Sequence, residues 1–328
     1  MWFRHLLLLL YILFAVVECL PNSQNELTVM TFNTWQSGKN VENGLFKIAK
    51  HISYVYPDIV ALQEIENEAV IGQLIKMLGR RWSGVANNYS YPDTGILTRH
   101  SIINNSIATA ARSVGAKILL PMHNRTVHIY SLHLDYRSYG PYAANNKLVS
   151  YATQIMAGER NIDGDGRFEN MREFILDDDF RKALKRSDEE PLLVCGDFNA
   201  PSHLDWTQET KSQHGGWVFE WPATKMLQGE AAMEDSFRKL HPNPLLKTGN
   251  TWSTVEKTTS AGWGWTIPEP QDRIDFIFYK SPLLEPINSY TYQGRDVVWP
   301  KPYHWHNDYP SDHFAVVTKF TISRDVNK

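Results

Sequence analysis

Apolar residues fall into short runs of two kinds along most of the chain. Leu27–Phe32, rich in β-branched and apolar residues, predicts a strand. From Val41 to Val55 the apolar positions Leu45, Ile48, Ile52 and Val55 share one face at helical spacing. A strand over Asp58–Gln63 and a helix over Glu68–Leu78 come next, followed by strands over Thr94–Thr98, Ile118–Pro121 and Val127–Leu134. A helix-rich stretch runs from about Asn145 to Lys185, broken near Gly164 and Gly166. Leu192–Gly196 reads as a strand, Met226–Leu227 and Met233–Leu240 as helical, and Ile274–Tyr279 and Phe314–Ile322 as late strands. Strands mixed with helices throughout, with no linker or repeat, predict one α/β domain.

The first 19 residues do not fit that alternation. Arg4 and His5 precede an apolar run from Leu6 to Val17, too short to span a bilayer and suited to a secretory signal peptide. Val17 and Cys19 serve as the small residues before a cut at Leu20, so the expectation is a signal over 1–19 and a mature domain over 20–328, secreted and extracellular. Such a mature chain keeps one cysteine, Cys195, within the apolar run Leu192–Cys195, and it reads as a buried strand residue. Sequons at Asn88, Asn104 and Asn124 agree with a glycosylated secreted protein. With a formal net charge of -3, no global basic field points to a polyanionic partner, although a local groove remains open.

Candidate chemistry gathers where strand runs end. Asn33, Gln63-Glu64, His133 with Asp135, Asp197 with Asn199, and Asp312-His313 stand at the ends of predicted strands, and Asp275 interrupts Arg273-Ile-Asp275-Phe276. A lone Asp or Asn in such a place is ordinarily a turn residue or a cap. A whole set of metal-ligating and proton-handling side chains at strand ends is the arrangement by which an α/β scaffold presents groups to one crevice. Carboxylate oxygens with amide support suit Mg²⁺, Mn²⁺ or Ca²⁺, and the Cys–His spacing of a zinc site is absent.

The ordered segments Thr31-Phe-Asn33-Thr-Trp35, Leu62-Gln63-Glu64, Ser131-Leu-His133-Leu134, Gly196-Asp197-Phe198-Asn199, Arg273-Ile-Asp275-Phe276 and Ser311-Asp312-His313 resemble the endonuclease/exonuclease/phosphatase superfamily. With the predicted strands beside them, they span residues 27 to 320. The resemblance implies a four-layer, two-sheet α/β sandwich with helices outside both sheets and the site at one rim. It further implies a metal-dependent phosphoester hydrolase, with Mg²⁺ as the expected cofactor and Glu64, Asn33 and Asp312 as metal ligands. Asp197 would orient or deprotonate water, Asn199 would hold a phosphate oxygen, and His313, oriented by Asp275, would serve the phosphoryl group. His133 matches a second catalytic histidine of the deoxyribonuclease and sphingomyelinase branches, with Asp93 a candidate to orient it.

A single mature cysteine departs from the disulfides expected of the deoxyribonuclease branch. Trp217, Trp221, Trp252, Trp263, Trp265, Trp299, Tyr303 and Trp305 crowd the later loops, and residues 299–309 should border the site and could stack a base, sugar or lipid headgroup. The expected partner is a phosphoester: nucleic acid, phospholipid headgroup or small molecule. The alternatives are a sphingomyelinase-type headgroup phosphodiesterase and a degenerate secreted binding protein. Asn161–Phe168 imitates the front of a calcium loop, but Arg172 stands where a bidentate Glu belongs, so it reads as a solvated turn.

Overall fold

The computed structural model describes residues 25–88, 92–121, 124–259 and 267–323. The expected signal segment, Trp263 and Trp265 lie outside them. In chain order the strands are β1 (Glu26–Asn33), β2 (Ile59–Gln63), β3 (Ser83–Ala86), β4 (Thr94–Thr98), β5 (Ser101–Ile102), β6 (Ser113–Leu120) and β7 (Arg125–His133). They continue as β8 (Leu192–Asp197), β9 (Glu234–Asp235), β10 (Thr258–Thr259), β11 (Ile267–Pro268), β12 (Asp275–Lys280), β13 (Leu284–Tyr292) and β14 (Ala315–Ile322). The helices are α1 (Gly44–Val55), α2 (Ala69–Leu78), α3 (Gly140–Asn145), α4 (Ala152–Arg160), α5 (Arg167–Leu176), α6 (Asp178–Lys185), α7 (Pro222–Glu230) and α8 (Ser236–Leu240).

Two six-stranded mixed sheets form, in the orders β13-β14-β1-β2-β4-β3 and β5-β6-β7-β8-β12-β9. The parallel pairs β1/β2 and β7/β8 each need a crossover, which α1 supplies in the first sheet and α3–α6 in the second.

The strands read as near-continuous apolar runs because both faces of each sheet are covered. Successive side chains point to opposite faces, so odd and even positions part company. Val29, Ile59, Ala61, Val127, Ile129, Leu193, Cys195 and Ile277 meet between the sheets. Met30, Phe32, Val60 and Leu62 face outward onto Ile48, Ile52 and Leu74 of α1 and α2. Tyr130, Leu132, Val194, Phe276 and Phe278 face outward onto Phe174, Phe180 and Leu227 of α5–α7. The result is the expected four-layer sandwich, with Cys195 buried as expected.

Some local expectations shift. The strand placed at 118–121 is longer, occupying 113–120 as β6. The helix read from Met233 begins only at Ser236, because the Asp235 side chain accepts from the backbone N–H groups of Phe237 and Arg238 and caps it there. Asp163 and Asp165 of the calcium-like turn are engaged by Arg137 and Arg112, in keeping with the solvated-turn reading.

Candidate active site

The inter-sheet parity carries on to one rim and changes character there. Val29, Thr31 and Asn33 follow one another on the inner face of β1, as Ile129, Ser131 and His133 do on β7, Leu193, Cys195 and Asp197 on β8, and Ile277 and Asp275 on β12. A polar layer separates core from rim: Thr31 Oγ1 donates to Gln63 Oε1 at 3.2 Å, and Gln63 Nε2 donates to Ser131 Oγ at 3.0 Å. Registers then align the site. His133 pairs with Asp197 across β7/β8, and Asp197 with Asp275 across β8/β12, forming one row in the second sheet.

Asp197 is at the centre. Its Oδ2 accepts from Asn33 Nδ2 of the facing sheet at 3.0 Å and lies 3.5 Å from His133 Nε2 and 3.6 Å from His313 Nε2. Its Oδ1 accepts from the backbone N–H of Asn199 at 2.8 Å. Each imidazole is backed by its own carboxylate: His133 Nδ1 sits 2.7 Å from Asp93 Oδ2, and His313 Nδ1 sits 2.9 Å from Asp275 Oδ2. Burial opposes charge on His133, but Asp93 foremost, then Asp197 and Glu64, carry its pKa up to about 10. His313 is likewise driven well above its ordinary value, burial being outweighed by Asp275 and then Asp197. Burial, reinforced by Asp275, lifts Asp197 to about 6.

Glu64, just past β2, has φ 57°, a left-handed backbone that costs a non-glycine residue about 1–2 kcal/mol. Thr34 Oγ1 and the Ser37 N–H hold its carbonyl at 3.0 and 2.8 Å, and its carboxylate accepts from Asn33 Nδ2 at 3.1 Å and the Gln36 N–H at 2.9 Å. Asp312 comes from the loop before β14. Ser311 pins that loop to β1 by donating to the Asn33 carbonyl at 2.7 Å. Burial first, with Glu64 adding to it, pushes Asp312 up to about 8. Asp312 Oδ1 and Asp275 Oδ1 are both buried without a hydrogen-bond donor. Repelled carboxylates and undonated buried oxygens are what a hard cation would relieve, so the residues present fit a divalent metal. Among the described residues, Asp197, Asp275 and His313 also form a group whose ligand atoms lie within 4.8 Å of one another.

The eight residues given catalytic or metal roles from the sequence thus meet at one crevice of about 340 Å³: Glu64, His133, Asp197, Asn199, Asp312 and His313 line it, and Asn33 and Asp275 bond to those that do. Asp93, only a candidate from sequence, does contact His133. Asp135 is not a solvent-facing turn residue: it is buried, accepting from Arg137 Nε at 2.8 Å and, at its backbone N–H, donating to Asn170. Residues 299–309, expected to border the site, do not line the crevice: the loop stands behind Trp35, which does, with Lys301 Nζ 5.1 Å and the His304 ring 5.3 Å from the Trp35 ring. Sequence reasoning missed Glu269, which faces the same crevice with Trp252, Tyr139 and Tyr142. No apolar period marks it, and the strand it follows, β11, is too short at two residues to be read from the sequence.

The sequence profile of the Endonuclease/Exonuclease/phosphatase family matches residues 30–313. The Uncharacterized protein F14F9.5 of Caenorhabditis elegans is 49% identical over 325 residues, covering 96% of this chain and 100% of that protein. Among solved structures, truncated Caenorhabditis elegans TDP2 superposes with a TM-score of 0.56 at 16% identity, over 90% of this chain and 97% of that one. The human Nocturnin catalytic domain with bound sulfate does so at 0.53 and 15%, over 91% and 95%. Members of the family are phosphoester hydrolases that generally use divalent metals. A chain matched over nearly its whole described length, with the sandwich and the rim in place, belongs to the endonuclease/exonuclease/phosphatase family.

Proposed function

We propose that this chain is a secreted, divalent-metal-dependent phosphodiester hydrolase in which Asp197 activates water between two protonated histidines. The observation that carries this reading is the Asp93–His133 and Asp275–His313 pair of dyads converging on Asp197 Oδ2. A phosphodiester anion repels hydroxide, so hydrolysis needs positive charge around the phosphoryl oxygens and a positioned base. His133 and His313, each held charged by its own carboxylate, supply two imidazolium N–H donors. Asp197, oriented by Asn33 and the Asn199 N–H, takes the proton of the attacking water. Asn199 gives one amide hydrogen to the Leu134 carbonyl at 3.1 Å, which aims the other toward a phosphoryl oxygen. Glu64 and Asp312, with Asn33 between Glu64 and Asp197, would hold the cation. When bound, a Mg²⁺, Mn²⁺ or Ca²⁺ ion supplies Lewis-acid polarisation of a phosphoryl oxygen.

The test is hydrolysis of bis-p-nitrophenyl phosphate and p-nitrophenyl phosphate by the full chain with each cation and with EDTA. Turnover that needs a cation and favours the diester is expected. Turnover indifferent to EDTA, or to Asp197→Asn, would sink the proposal.

A further inference from the structure

We propose that the aromatic wall of the crevice, closed by Glu269, is a subsite for a quaternary ammonium group of the substrate, making choline phosphodiesters the favoured substrate class. This rests on the hydrolase reading above for the reaction, though not for the binding.

Glu269 is only 5% exposed. Its Oε1 accepts from both Tyr142 Oη at 2.6 Å and Trp252 Nε1 at 2.7 Å. Among the described residues it has no ion-pair partner, and the neighbouring residues 260–266 contain no Lys or Arg. Burial pushes its pKa up, against the hydrogen bonds from Tyr142 and Trp252, and a cation brought beside it would favour the charged form. Its place is not the protein interior at large but the crevice that holds Asp197 and His313, so the missing charge can arrive with the substrate.

The wall around it is aromatic: Trp35, Tyr136, Tyr139, Tyr142 and Trp252 line the same crevice. Tyr139 and Tyr142 meet edge to face, centroids 5.6 Å apart, and Trp252 tilts against His313 at 4.8 Å. Next to Glu269 the polar hydrogens of the wall are committed. Tyr139 Oη donates to Asp272 Oδ2 at 3.1 Å, while Tyr142 and Trp252 both donate to Glu269. The part of the wall formed by Tyr139, Tyr142 and Trp252 around Glu269 therefore offers ring surface and negative charge rather than donors. A second phosphate, a carboxylate or a sugar oxygen is poorly served there, and a further phosphate of a polynucleotide would face Glu269. A quaternary ammonium needs no hydrogen-bond acceptor, is weakly hydrated, and binds to aromatic faces beside a negative charge. The crevice volume of about 340 Å³ is that of a small-molecule site.

The experiment compares two diesters that differ only in charge. These are p-nitrophenyl phosphocholine and its neutral isostere, p-nitrophenyl 3,3-dimethylbutyl phosphate, with the full chain and Mg²⁺, Mn²⁺ or Ca²⁺. Wild type should favour the choline ester in kcat/KM by about tenfold or more, the scale of a desolvated cation–π contact. Glu269→Gln should bring that ratio toward one. A wild-type ratio near one overturns the proposal. So does an equal loss on both esters in Glu269→Gln, which would make Glu269 a structural residue only. Should that variant fail to fold, inhibition of wild-type hydrolysis of bis-p-nitrophenyl phosphate decides: choline must compete at least tenfold better than 3,3-dimethylbutanol, and parity overturns. If no diester is hydrolysed with any cation, the hydrolase reading fails, and calorimetry of the same two alcohols against the wild-type chain still supports or overturns the subsite. Glycerophosphocholine and sphingomyelin vesicles, run side by side, separate a soluble diester from a lipid headgroup as the source.

Discussion

Asp197 and His313 occupy the same few ångströms but should fail differently when changed. Both Asp197→Asn and His313→Ala should lower kcat by about 10²–10⁴-fold, the usual contribution of a positioned acid or base. Their stabilities should diverge in metal-free buffer. The charged form of Asp197 is disfavoured by burial and by Asp275, so the neutral amide should unfold at a temperature no lower than wild type, as seen by calorimetry. His313→Ala leaves Asp275 buried without its cationic partner and should melt lower. Glu64→Gln should weaken metal affinity rather than the chemistry, so raising Mg²⁺ or Mn²⁺ should recover part of its rate; a defect insensitive to metal would move Glu64 out of the metal shell. His133→Ala and Asp93→Asn should fall together if the dyad acts as one unit, and a large loss in both supports two-histidine diester chemistry.

Elements place these residues, and the ends of elements are held by buried charge. Arg273 precedes β12 and grips Asp205 with two nitrogens, at 2.9 and 3.1 Å, and Asp235 with a third at 2.6 Å. Arg273→Met would leave Asp235 buried and unpaired, with a cost of about 3–5 kcal/mol in urea unfolding. Because β12 carries Asp275, activity should fall with it. A second anchor precedes β8. Glu190 accepts from Arg186 at 2.6 Å, from Lys117 at 3.3 Å and from His128 in close contact. Burial opposes its charge, but these three donors outweigh burial and hold its pKa at about 2 rather than 4.5. A depressed carboxylate stabilises the fold above its unfolded pKa, and that stability is lost as pH falls from about 4.5 to about 2. The melting temperature should drop across that window, and the gap between wild type and Glu190→Gln should close within it.

For the molecule as a whole, the three acceptor asparagines Asn88, Asn104 and Asn124 are all exposed. Secreted material should begin near Leu20 and should shift on a gel after glycosidase treatment. A product that retains residues 1–19 and shows no shift would overturn the secretory reading. The calcium-like turn should contribute nothing to metal dependence, since its carboxylates are paired with Arg112 and Arg137.

Much of this was legible in the sequence, for a local reason. Apolar spacing encodes the faces of an element, so β1, β2, β7, β8, β12, α1 and α2 could be read from periodicity within a few residues of their ends. Asn33, His133, Asp197 and Asp275 were candidates because they stand at strand ends and in the ordered segments; that they share the parity of the inner core positions came from the structure. Where that local signal is weak, the elements went unread. The edge strand β13 carries Pro286, Asn288 and Ser289 and bulges between 286 and 288, and β3 is four half-buried residues on the opposite edge. Long-range pairing was decided only by the tertiary structure. Asp93, just before β4 of the first sheet, reaches His133 of the second because the sheets pack face to face, and Glu269 meets Tyr142 of α3 and Trp252 across sequence separations of 127 and 17 residues with no shared period. Periodicity says which way a side chain points from its own element; only the packing of elements says what stands opposite it.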